Sequence, residues 1–128
     1  MATFMTVLTV AKRAVATLAV TYPIALMLAF VNLWGQATAC LGHTPLYMEN
    51  DPKFICRNDV GYQAAAGYVG FLLALMLPVV PILGWVLFTT FRVHPWRSAT
   101  YLGVHLLGWF GLSLLARANP YVVDWFLD

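Results

Sequence analysis

The chain has 128 residues, of which 62% are hydrophobic and only 9% charged, whereas a soluble domain is about 25% charged. That balance excludes an ordinary water-soluble globule, and the length bounds the chain at a single domain, 1–128. The net charge of +2 comes from seven basic and five acidic residues dispersed along the chain, so no basic face for nucleic acid is predicted.

Met1 to Ala11 are apolar, with Thr3, Thr6 and Thr9 interleaved, and are expected to extend the first helix or to dock on a partner. After Lys12 and Arg13 the run Ala14 to Gly35 holds 22 residues without a charge. A helix needs about 20 apolar residues to cross a hydrocarbon core of about 30 Å, so 14–35 is predicted as the first span. A signal peptide is the rival reading, because the basic pair precedes an apolar stretch that ends at Ala37-Thr38-Ala39 before Cys40. The run exceeds the roughly 7–15 residues of a signal core, which favours the span.

The polar loop 36–61 follows. Cys40 and Cys56 enclose 15 residues in it, and paired cysteines in a polar loop point to a disulfide in an oxidising compartment. Cys40, His43 and Cys56 could instead hold zinc or copper, but no fourth ligand stands nearby and no metal is predicted. Thr44-Pro45 and Glu49-Asn50-Asp51-Pro52 carry turn chemistry, so a compact cap is expected.

The second uncharged run, Val60 to Phe91, holds 32 residues and includes Pro78 and Pro81. The piece after Pro78 is too short to span alone, so one kinked or tilted pass over 62–90 is predicted. Small residues recur at Ala66, Gly70 and Ala74, a spacing that lets helix backbones approach closely.

A short link, 91–97, leads to the third run, Ser98 to Ala116, with 19 uncharged residues, predicted as the span 98–116. It contains the one ionisable group well inside a span, His105. Tyr101 and Trp109 lie one turn to either side on the same face, with Gly108 and Leu112 beside them, and this stripe is expected to face protein. A hydrogen bond within or between subunits is the leading reading. Quinone contact or haem ligation through His105 are the alternatives, although His43 and His94 lie in loops and a partner would have to supply a second axial ligand. Ala99 and Gly103 offer a separate, small-residue packing face. The tail 117–128, with Tyr121, Trp125 and Phe126, is too short to cross and is expected to lie in the interface.

The expected architecture is thus an all-α integral membrane domain of three spans, with a disulfide-closed extracytoplasmic loop. Four basic residues, Lys12, Arg13, Arg92 and Arg97, fall on one side against Lys53, Arg57 and Arg117 on the other, which puts the N-terminus in the cytoplasm, in a bacterial inner membrane by working assumption. All five carboxylates lie outside the spans, which counts against a proton relay. No Walker loop, nucleophile elbow or HExxH is present, so no catalytic residue is assigned and the chain is not expected to be an enzyme. Its expected partners are membrane lipids and either other membrane subunits or further copies of itself. The leading expectation is a small accessory or anchoring subunit of a membrane complex, ahead of a self-standing immunity or exclusion protein and a haem- or quinone-contacting electron-transfer subunit.

Overall fold

A computed structural model describes residues 1–45 and 51–118. It is all-helical among those residues, with α1 over Ala2–Leu41, α2 over Pro52–Ile55, α3 over Val60–Ala74, α4 over Met76–Val93 and α5 over Pro95–Ala118. Three of these helices, α1, α4 and α5, are long and apolar enough to cross a membrane, and α3 is a shorter apolar helix.

The first helix runs well past the predicted span at both ends. Charge limits the length of a span but does not stop a helix, and past Gly35 no breaker occurs until Gly42, which takes the left-handed φ of 74° and donates its N–H to the Thr38 carbonyl at 2.9 Å. The loop expected over 36–61 therefore opens only after Leu41, and it contains α2. Asp51 caps α2 by accepting the Lys53 N–H at 2.9 Å, and Pro52 fills its first position, where the missing N–H costs no bond. Asp59 caps α3 in the same way, accepting the Tyr62 N–H at 2.8 Å.

Within the second uncharged run the helix is interrupted at Leu75, ahead of Pro78. Proline at position 78 removes the bond to the carbonyl of Ala74 and crowds that carbonyl, so the helix yields on the N-terminal side of the ring. Leu75 keeps right-handed dihedrals of −70° and −11°. The chain consequently continues from α3 into α4 without reversing. The link predicted over 91–97 shrinks to His94, because a residue before proline is pushed out of the helical region; His94 sits at φ −138° and ψ 85°, and α5 starts at Pro95. Ser98 fastens this corner, its hydroxyl donating to the Leu87 carbonyl at 3.0 Å.

Helix α1 is the hub, packing on α5, α3 and α4, while α4 also lies against α5. The core runs along α1 and α3 through Leu26, Phe30, Leu33, Ala37, Tyr62, Ala65 and Val69, with Trp109, Leu112 and Leu115 of α5 packed on it. A disulfide joins Cys40, in the last turn of α1, to Cys56 after α2, with Cα atoms 6.1 Å apart. Cys56 is buried in the same core, so the chain just after α2 is tied to the bundle. At the opposite end Lys12 and Arg13 stand on α1 near Thr89 and Thr90 of α4 and Tyr101 of α5. Lys12, Arg13 and Arg97 thus gather at one end of the bundle, and the disulfide, with Lys53 and Arg57 close to it in sequence, stands at the other.

Outward faces are apolar. Helix α4 buries only Val86 and exposes Leu77, Val80, Phe88 and Phe91, a distribution suited to lipid or to a partner and not to water.

Candidate functional site

Pro23 determines the most unusual feature of the interior. A proline has no N–H to give to the carbonyl four residues earlier, so the helix leaves the carbonyl of Ala19 without its usual backbone donor, in the middle of an apolar bundle where an unmet polar group is costly. His105 fills that vacancy from α5. Its Nδ1 lies 3.1 Å from the Ala19 carbonyl oxygen and 3.2 Å from that of Val20, a shared bond in which the ring donates.

The other ring nitrogen is occupied as well. Trp109 Nε1 donates to His105 Nε2 at 2.9 Å. Indole nitrogen can only donate, so Nε2 must accept and the proton must sit on Nδ1. The neutral Nδ1–H ring satisfies both bonds, and His105 is 8% exposed. The rings of His105 and Trp109 meet edge to face at 6.1 Å, and Tyr22 tilts against Trp109 at 6.3 Å.

Tyr22 extends the interior polar chain to α3. Its hydroxyl donates across the bundle to the carbonyl of Leu72, in the last turn of α3, where helical carbonyls lose their backbone partners. One proline and one helix break therefore each release carbonyl groups, and a side chain from another helix meets each.

Close packing makes these bonds reachable. A Cβ added at Gly108 would lie 2.7 Å from Pro23 Cγ and 2.9 Å from the backbone nitrogen of Ile24, so α5 rides directly on the proline turn of α1. At Gly111, one turn on, a Cβ would lie 2.9 Å from the Met27 sulfur. The small-residue faces read from the sequence lie elsewhere. Ala66 is half-buried, Gly70, Ala74 and Ala99 are exposed, and Gly70 and Gly103 have open space where a side chain would stand.

Of the predicted aromatic stripe, the structure brings His105 and Trp109 together. It separates Tyr101, which is half-buried one turn toward the Lys12 end and lines cavities there. No family model matches this chain, and neither does any curated protein or solved structure. What the site can do must therefore be argued from its geometry.

That geometry bears on ligation. A metal or haem iron approaching Nε2 would have to evict the Trp109 donor, and one approaching Nδ1 would reopen the carbonyl left by Pro23. His105 is built as a fastener between helices. At the other end His43 is exposed and, among the described residues, meets its neighbour's carbonyl, Thr44, at 2.9 Å, while both cysteines are spent in the disulfide. Among the described residues no group of three or more histidine, cysteine or acidic side chains gathers.

Tyr22 and Ser98 were not singled out by sequence reasoning, nor was Gly111. A phenol inside an apolar run, directly before a proline, was the available signal for Tyr22, since such a hydroxyl needs a partner. Glycines 103, 108 and 111 carry no comparable signal, because spacing alone does not say which side of a helix meets a neighbour. The tail beyond Ala118 and the turn at Glu49 and Asn50 lie outside the described residues.

Proposed function

We propose that this chain is a non-catalytic accessory or anchoring subunit of a larger membrane assembly. In this reading α1, the α3–α4 pair and α5 are its three passes, the N-terminus is cytoplasmic, the disulfide loop is extracytoplasmic, and the membrane is a bacterial inner membrane. The exposed apolar arm at the start of α1 carries the proposal. A 40-residue helix is about 60 Å long, about twice the thickness of the hydrocarbon core. With Lys12 and Arg13 at the boundary, the preceding turns stand beyond it, yet they bear Phe4 at 73% exposure, Met5 at 70% and Val7 at 61%. A contiguous apolar surface of this kind is characteristic of a docking face; the occupant this reading gives it is an apolar, membrane-proximal surface of a partner subunit.

The closed interior supports the same reading. The intramembrane histidine is consumed by structural bonds, and the described carboxylates, Asp51 and Asp59, serve as helix caps. These groups are committed to holding the bundle together.

The test is extraction in a mild detergent, with native mass and a visible spectrum read on the same peak. The proposal expects partner chains on that peak, and expects deletion of residues 2–11 to release them while the remaining bundle keeps its helicity and thermal midpoint. A stable lone monomer from the full chain would overturn it.

A further inference from the structure

The basic end of the bundle is hollow. Between α1 and α5 lies a cavity of about 460 Å³ whose lining includes Arg13, Arg97 and Tyr101 together with Ala16, Val20 and Val104. A second cavity, about 370 Å³, opens between α1 and α4, shares Arg13, Ala16 and Tyr101 with the first, and adds Lys12. Three cations from two helices therefore converge on adjoining spaces. None of the three pairs with a described carboxylate.

The remaining polar groups identify what could be held there. Thr17, Thr21 and Thr100, which also line the larger cavity, spend their hydroxyl protons on carbonyls of their own helices at 2.9, 2.7 and 3.0 Å. Available donors are thus the two guanidiniums and the Tyr101 hydroxyl, which has no hydrogen-bond partner among the described residues. Two exposed guanidiniums beside a phenol suit a tetrahedral oxyanion, because the planar fork matches phosphate geometry. Beyond them the lining becomes apolar at Ala16, Val20 and Val104, inside the uncharged stretch that begins at Ala14. A free phosphate would leave that part unused, whereas an acyl chain would fill it.

We propose that this cavity binds an anionic phospholipid from the leaflet on the Lys12 side, with Arg13 and Arg97 holding the phosphate, Tyr101 donating to it and one acyl chain lying along Val20 and Val104. Basic pockets between membrane helices on the cytoplasmic side recognise anionic headgroups in this manner. The inference rests on the three-pass reading and adds to it a specific lipid and its place.

The full chain, delipidated in mild detergent, is titrated with short-chain phosphatidylglycerol, with phosphatidylcholine of the same chain length, and with glycerol phosphate, and binding is read by native mass. Phosphatidylglycerol is expected to bind in preference to both others. Arg13→Gln and Arg97→Gln should each weaken it about fivefold and the pair together roughly 25-fold, while Arg13→Lys retains part of the affinity and Arg57→Gln, at the disulfide end, leaves it unchanged. Helicity and an intact disulfide certify the fold of each variant. Equal binding of the two lipids, or glutamine variants that bind like the parent, overturns the site; tight binding of glycerol phosphate overturns the lipid as its occupant in favour of a free phosphate. Alkaline carbonate extraction is run in parallel, since release of the chain from membranes would overturn the spanning reading itself, and retention alongside equal lipid binding would overturn the lipid site alone.

Discussion

Replacing His105 by leucine is expected to cost far more in the parent chain than in a chain that also lacks Pro23. In the parent the substitution removes the donor to the Ala19 carbonyl and the acceptor for the Trp109 indole. Interhelical hydrogen bonds in membranes average about 0.6 kcal/mol and reach about 1.7, so losing two amounts to about 1.2–3.4 kcal/mol. Alanine at position 23 restores an N–H, which closes the regular bond to Ala19 within α1. In that background His105→Leu orphans only the indole, and its cost falls to about 0.6–1.7 kcal/mol. The coupling between the two positions is then about 1 kcal/mol, above the roughly 0.3–0.5 kcal/mol within which independent sites add. Reversible unfolding of the four proteins in mixed detergent micelles, followed by circular dichroism, measures it. If the two costs agree within about 0.3 kcal/mol, the histidine is not repairing the proline's defect and the account of the interior fails.

Glycine-to-alanine changes on one helix should have opposite signs. At Gly108 the new methyl would enter the proline turn of α1 and destabilise the bundle by about 1–3 kcal/mol, an overpacking cost; at Gly103, which has open space beside it, the same change should be neutral or stabilising by up to about 1 kcal/mol, and the same unfolding assay reads both. Reducing Cys40–Cys56, or replacing both by serine, should lower stability by about 3 kcal/mol in the chain-entropy model, checked by thermal midpoints alongside a thiol-alkylation mass shift that appears only after reduction. Asp59→Ala should cost about 1 kcal/mol through the lost cap on α3, while Asp59→Asn, which keeps an accepting oxygen, should be nearly silent.

Composition and uncharged runs made the helical architecture, its three long apolar segments and the cysteine pair legible, because membrane thickness and redox chemistry act on residue type alone. Helix ends were less so. The apolar stretch Met1 to Ala11 pointed to an extension through Met5, but nothing in the run Ala14 to Gly35 reveals that the helix continues to Cys40, since lipid and water both tolerate a continuing helix. An interruption was readable from Pro78, although its place at Leu75 depends on which carbonyl the ring crowds. In the interior, His105 announced a ring in need of partners, and Pro23 leaves a carbonyl in need of a donor. That the two solve each other is a fact of three-dimensional register, as is the choice of Gly108 over Gly103 for the close approach.

The Ala19–His105 contact also has a temporal side. Ala19 leaves the ribosome 86 residues before the side chain that meets it, and Tyr22 waits 50 residues for the carbonyl of Leu72. Until α5 has been made, α1 carries a carbonyl at Ala19 whose partner in the folded bundle, His105, does not yet exist. The proline in α1 thereby makes the closure of an early helix depend on the arrival of a much later one.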